Sequence, residues 1–424
     1  MKITLIVSFF FPPYNCIASK RWGYMTKYLR EYGYDPYVIC SDQHGTLPVG
    51  IEESHIFRIG GAEKDLSRYM SFGRKLIGKV VAISPFYLRS LNRESLFWYW
   101  LVRDNIGEIE KRIPRPKIII GSYGPVSDIY IAGYLSKRWG VPWIADLRDY
   151  ISDWDGHEEK LHFKGADTAV EKGLLESASG LTVISKGIYD ICRKRYPLKE
   201  ICLAYNGWEE EVENSKDNTE SELPYKMYLY YAGNIYDHQY KCIELIVKAY
   251  TAAVCNNMTP LPLVIRKAQD NKTWKRSEKL VKKYDLEGYI HFLPGTTSAV
   301  CRNEALNSNG NVVFGKLNSG RNRKLIDIPA KTFELMSMKR AIILIDRSDS
   351  ELAGLVKDTD SGVVADSSEK LMNTLLEGGG EKYSWKDIYY YSRKKQSEIL
   401  CRFIDKRLES VPSRQQKRRN KKNR

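Results

Sequence analysis

The sequence predicts an α/β protein made of two Rossmann-like domains. Three observations carry that expectation. The chain has 424 residues, too many for one ordinary core and suited to two domains of roughly 200 residues each. Short apolar runs alternate with helical stretches through both halves. A polar stretch, EEEVENSKDNTESELP, divides them; it is acidic, poor in apolar residues and ends in Pro, as a linker would. The expected division is a first domain over 1–206, a linker over 207–225, a second domain over 226–384, a terminal helix over 385–410 and a basic tail over 411–424.

The run from Ile3 to Phe11 suits a parallel strand covered on both faces. Met1-Lys2 followed by ITLIVSFFF also resembles a short signal peptide. Pro12-Pro13-Tyr14 stand where small cleavage-site residues are needed, so a buried first strand is the reading adopted. Trp22, Met25, Leu29 and Tyr32 then recur at helical spacing, Gly33 closes that helix, and PYVIC returns to strand. This is a βαβ unit, whose crossover is expected to be right-handed.

Residues 60 to 112 are less regular. KLIGKVVAISPFYLRSL and SLFWYWLV mix basic, aliphatic and aromatic residues. They fit a hydrophobic helix pair inside the domain, and they also fit a membrane-facing surface from Lys75 to Trp100. The pattern then clears: KIIIGSYGP is a strand running into a glycine loop, SDIYIAGYLSKRWG a helix, and VPWIADLRD a strand ending in charge. Ligands of open α/β sheets bind outside the carboxyl ends of the strands. Tyr123, Gly124, Arg148 and Asp149 stand there. A helix around Ala169 to Ala178 and the strands GLTVIS and ICLAYNGW complete the first half.

In the second half YKMYLYYAGNIYDHQY is a strand entering a glycine turn. LPLVIRKA, YIHFLPG and GNVVFGK are further strands, and IPAKTFELMSMKR is a helix with Pro329 in its first turn. AIILI is the next strand, and a long helix is expected from Ser384 onward.

Composition narrows the function classes. No run of apolar residues is long enough for a membrane span. The eight cysteines show no C-x-x-C pairing and read as buried thiols of a reducing cytosol, which makes a cytoplasmic location the expectation. The six histidines have no metal-ligand spacing, so no metal is expected. The net charge is +15, and seven of those charges lie in the last eleven residues, RQQKRRNKKNR. Such a tail is solvated by default, or binds nucleic acid or anionic lipid. No nucleic-acid module accompanies it, so an anionic membrane surface is the preferred partner and nucleic acid is not expected. A dehydrogenase needs G-x-G-x-x-G after its first strand. The loop FPPYNC has no glycine, and that class is rejected.

Several motifs, in their order along the chain, resemble the polysaccharide-assembly branch of the family-4-type retaining glycosyltransferases of GT-B fold. In the second half they are IPAKTFELMSMKRAIILI, with its Pro-x-Lys-x-x-Glu helix, YYAGNIYDHQ, LAYNGW and HFLPGTTSAVCRNEAL. In the first half they are FFPPYN, the Ser-x-x-Pro turn of GSYGP, and Asp-Leu-Arg-Asp in VPWIADLRD. The resemblance implies two domains facing across a cleft and a C-terminal helix packing back on the first domain. It implies a nucleotide-diphosphate-sugar donor, a saccharide or lipid-linked acceptor, and no cofactor or metal.

The chemistry of such a donor fits particular residues. A helix N-terminus offers free N–H groups and positive partial charge to phosphate. Lys331, in a first helical turn, adds a full charge, and the Glu334 carboxylate, three residues on, would accept from both ribose hydroxyls. The same two residues also fit an exposed ion pair. Gly233 and Asn234 form the loop where backbone would approach the phosphates, and Arg266 is a second phosphate ligand or a surface arginine. Asp149 would position the acceptor or the reacting sugar, or be held by Arg148. Asn15 and Tyr123 belong to the acceptor side.

Two departures from the resemblance matter. Ile326, beside Asp327, occupies the position of a donor-sugar Glu in the wider family, and the first loop has Asn15-Cys16-Ile17-Ala18-Ser19 in place of a glycine pair. They keep open an inactive family member acting as a scaffold in a polysaccharide-assembly complex.

Overall fold

The computed structural model describes residues 1–83, 86–87, 92–149, 151–152, 161–162, 164–209, 223–268, 271–317, 328–378 and 382–410. Ile326, Asp327 and the basic tail lie outside these residues, as does most of the expected linker. The chain forms two compact units. Met1–Asn206 together with the C-terminal helix Arg393–Glu409 make one, and Gly207–Ser392 the other.

The first unit is built on seven parallel strands: β1 (Lys2–Val7), β2 (Tyr34–Ser41), β3 (Ile56–Ile59), β4 (Ile118–Ser122), β5 (Trp143–Leu147), β6 (Gly180–Val183) and β7 (Ile201–Leu203). Their spatial order is β3-β2-β1-β4-β5-β6-β7. All of β4 and β5 is buried, as runs such as III and WIA require of strands covered on both faces. Helix α1 (Ile17–Glu31) follows β1 and buries Trp22, Met25 and Leu29. Leu400, Phe403 and Ile404 of the C-terminal helix join the same core, each contributing about 1.5–3 kcal/mol of burial free energy. Polar ties fix that helix. The Tyr34 hydroxyl donates to Asp405 Oδ1 at 2.6 Å, and the Tyr205 N–H donates to Gln396 Oε1 at 2.9 Å.

The helix expected from Ser384 begins at Arg393 instead. Trp385 and Asp387 have φ of 53° and 51°, outside the right-handed helical region, and residues Ile388–Tyr391 form a single 3-10 turn.

The irregular segment at 60–112 divides in two. Helix α2 is Phe72–Ile83 and α3 is Arg93–Asp104. Phe97, Trp98, Leu101 and Val102 of α3 are core, whereas α2 buries only Gly78. Of the aromatic residues on the Lys75–Trp100 surface expected at a membrane, Phe97 and Trp98 are therefore interior, and Tyr99 and Trp100 are half-buried. Among the described residues no helix is long and apolar enough to cross a membrane.

The second unit has six parallel strands: β8 (Leu229–Gly233), β9 (Leu263–Lys267), β10 (Ile290–Leu293), β11 (Gly310–Phe314), β12 (Ile342–Ile345) and β13 (Gly362–Ala365). Their order is β10-β9-β8-β11-β12-β13. This is the doubly wound order 3-2-1-4-5-6, and the first unit repeats it with one strand added. The core gathers Tyr231, Ile243, Ile246, Tyr250, Trp274 and Phe314.

Candidate functional site

In a doubly wound sheet the crevice opens where the strand order reverses, outside the carboxyl ends. For the second unit that point lies between β8 and β11. At the end of β8 the Tyr231 ring stacks on Phe314, with centroids 4.1 Å apart. The Tyr231 hydroxyl donates to the Asn234 carbonyl at 2.6 Å and so shapes the turn Gly233-Asn234. Gly233 has φ of 144°, which suits glycine, and a Cβ there would stand 3.4 Å from Lys331 Nζ.

Lys331 reaches this turn from helix α4 (Ala330–Ser337). Pro329 is its N-cap rather than a first-turn residue, and it provides no side-chain cap. The first N–H groups of the helix therefore lack that partner. Nζ lies 3.8 Å from the centroid of the Tyr231 ring and 3.4 Å from the Ala232 carbonyl. It forms no ion pair among the described residues. Burial pushes this ammonium down to about 7. Asn234 Oδ1, in the turn, and Thr332 Oγ1, next to Lys331 in the chain, are buried and have no hydrogen-bond partner among the described residues. A cation without a carboxylate, orphaned polar atoms and an uncapped helix start at one sheet end is an arrangement that lacks an anionic, hydrogen-bonding ligand. Glu334 follows on the same helix, half-buried.

Arg266 does not join this group. Its Nε and a terminal nitrogen donate to Glu304 Oε2 and Oε1 at 2.9 and 2.5 Å, and its other terminal nitrogen to the Pro294 carbonyl at 3.2 Å. Glu304 is fully buried and also accepts from the Tyr230 hydroxyl at 2.8 Å. A guanidinium engaged this way ties elements of the unit together, and we drop it as a phosphate ligand. Arg266→Ala is expected to lower stability by about 1.5–3 kcal/mol, through the charge left on Glu304, with ligand affinity unchanged. Denaturant unfolding and a binding isotherm on the same variant check both halves.

In the first unit the reversal lies between β1 and β4. Arg148, after β5, donates from Nε to the Tyr123 carbonyl at 2.8 Å and from a terminal nitrogen to the Gly124 carbonyl at 2.7 Å. It thus holds the turn after β4. Tyr123 is buried, and its N–H donates to the Asp146 carbonyl at 2.8 Å. Asp149 stands next to Arg148, half-buried on the bend. Asn15 is exposed on the first loop, where its Nδ2 donates to Thr46 Oγ1 at 2.9 Å.

Sequence reading missed the groups that support this end. Asp146 is fully buried and accepts five side-chain hydrogen bonds, from Arg21 Nε and a terminal nitrogen, Trp22 Nε1, Ser122 Oγ and Thr182 Oγ1. Asp128 accepts from the Phe9 N–H at 2.8 Å and Trp98 Nε1 at 3.0 Å, and burial pushes its carboxyl up to about 7. The available signal was an Asp inside the apolar strand WIADL, because a buried charge requires partners.

Solved structures share this architecture. A sucrose-phosphate synthase from Thermosynechococcus elongatus is 13% identical, with a TM-score of 0.62 over 97% of this chain and 100% of that one. The Anabaena HepE protein, solved with UDP and glucose, is 11% identical, with a TM-score of 0.57 over 97% and 100%. A UDP-GlcNAc 2-epimerase from Methanocaldococcus jannaschii is 11% identical, with a TM-score of 0.55 over 96% and 100%. At such identities the likeness establishes the fold, two Rossmann-like domains of GT-B type. No protein-family model and no curated protein sequence matches the chain.

Proposed function

We propose that the protein is a retaining glycosyltransferase that moves a sugar from a nucleotide-diphosphate donor to a saccharide or lipid-linked acceptor in cell-surface polysaccharide assembly. The observation that carries this reading is Lys331: a cation without a carboxylate partner among the described residues, at an uncapped helix start, against the Gly233-Asn234 turn. In this reading the donor diphosphate lies there. The lysine and the helix terminus stabilise the charge that develops on it as the bond to the anomeric carbon breaks. Glu334 holds the ribose hydroxyls. Arg148 positions the Tyr123-Gly124 turn on the acceptor side, where Asp149 orients the acceptor. The solved structures with UDP and glucose suggest uridine diphosphate sugars as the first donors to try.

The test is a panel of nucleotide sugars, scored for thermal stabilisation and then for sugar transfer or release, with and without chelator. A donor at 100 times its dissociation constant adds about 2.7 kcal/mol of stability. Stabilisation by none of the panel would remove the reading. Binding without transfer or release would favour the inactive scaffold, and conversion of the donor sugar to its epimer would make the chain an epimerase.

Donor affinity should depend on pH through Lys331. Burial pushes the ammonium of the free protein down to about 7, and a bound diphosphate favours its charged form. Affinity is therefore greatest below that value and falls as pH rises through it, by up to about tenfold per unit. Calorimetry with a sugar-esterified diphosphate, which has no proton of its own to lose there, reads this directly. A flat profile between pH 6 and 9, on the order of a few per cent change per unit, would contradict the assignment.

A further inference from the structure

Helix α2 is reversed relative to an ordinary surface helix. Its inner seam is narrow: Gly78 is its only buried residue, and a Cβ there would stand 2.4 Å from the Phe97 ring. Arg74, on the same side, pairs with Asp104 of α3 and lies over the Trp100 ring. The outer face is apolar. Phe72 is 84% exposed, Val80 59% and Ile83 79%, with Leu76 and Ile77 also exposed. Phe72, Leu76, Val80 and Ile83 fall at spacings of three and four residues, so they form one stripe.

What the stripe meets follows from the charge around it. Residues 66 to 93 include six Lys or Arg and no Asp or Glu. Lys75 and Lys79 flank the stripe, are exposed and form no ion pair among the described residues. A contiguous exposed apolar face is a docking surface rather than a solvated one. Arg68, Arg74 and Arg93 are paired with Asp65, Asp104 and Glu94, which leaves Lys75 and Lys79 as the charges beside the stripe that complement an anionic sheet of headgroups. At 12 residues the helix is too short to span a bilayer and suited to lie in its surface.

We propose that α2 is a membrane-docking helix, which lays Phe72, Leu76, Val80 and Ile83 into the headgroup region of an anionic phospholipid bilayer while Lys75 and Lys79 stay at the phosphates. This assigns the contact to α2, not to the aromatic residues of α3, and it uses no property of the donor site.

The test is co-sedimentation of the full chain with vesicles of phosphatidylcholine alone and of phosphatidylcholine with phosphatidylglycerol. The protein should pellet with the anionic vesicles, and less so as salt rises. The double variant Leu76→Ser, Val80→Ser should bind them at least about tenfold more weakly. Lys75→Gln with Lys79→Gln should weaken binding and flatten its salt dependence. Because these side chains are exposed, thermal melting and donor binding should stay as in the parent, which separates a lost membrane contact from a lost fold. Deleting residues 411–424 measures the tail, and the remaining binding should still respond to the Leu76 and Val80 changes. The proposal falls if the serine variant binds anionic vesicles as the parent does. It also falls if the parent binds no vesicle, including the case of a dimer that the serine changes dissociate, which would make the face a contact between two copies of this chain.

Discussion

Asp146→Ala is expected to cost the first unit about 3–5 kcal/mol, enough to lose much of its folded population. The carboxylate is wholly buried, and Arg21 is paired with it at 2.8 Å while 1% exposed. Truncation leaves the guanidinium charged and buried, with the Ala204 and Tyr205 carbonyls and Asn206 Oδ1 as its remaining hydrogen-bond partners among the described residues. Asp146→Asn keeps the shape and removes the charge, so it should lie between parent and alanine. Urea unfolding of the full chain is the measurement, and the loss should fall in one of two transitions if the two units unfold separately. A drop below about 1 kcal/mol for the alanine variant would mean that the pair is not the tie described.

The same carboxyl gives a sign for pH. Burial pushes it up, but the charge and hydrogen bonds of Arg21 outweigh burial, and it is held below its ordinary value. A folded-state pKa that is depressed contributes stability above the ordinary carboxylate range, and this is lost as pH falls through the folded value. The acid side of the stability curve should therefore flatten in Asp146→Asn.

The second large effect is on ligand binding. Lys331→Ala should weaken binding of the nucleotide-sugar donor by about 1.5–3 kcal/mol, roughly 10- to 150-fold. Glu334→Ala should lose a comparable amount through the ribose hydroxyls. The lysine variant has a second signature. An ammonium that burial pushes down to about 7, with no carboxylate opposite it among the described residues, weakens the unliganded protein. Its removal should leave unliganded stability unchanged or raised while affinity falls, a split that a merely structural lysine would not produce. Titration calorimetry and thermal melting on one preparation read both. If both variants bind every donor as the parent does, the site lies elsewhere.

The parts of this molecule legible in the sequence depend on neighbours along the chain. KIIIGS, WIADL and AIILI read as doubly covered strands because burial on both faces demands continuous apolar runs. Gly33 and Gly140 mark helix ends because each has the positive φ such an end needs. Lys331 and Glu334 stand out as a pair because one helical turn separates them, and the order of such motifs was enough for the architecture.

Other features depend on residues far apart in the chain. Arg266 and Glu304 are 38 positions apart, and nothing local distinguishes this arginine from a phosphate ligand. Arg21 and Asp146 are 125 apart, and only their meeting turns an Asp in a strand from a liability into a tie. LIGKVVAI and LFWYWLV are both strongly apolar, yet α3 contributes to the core and α2 is exposed. Hydrophobicity is a property of a segment, whereas burial is decided by what the rest of the chain leaves uncovered, and that decision belongs to the tertiary structure.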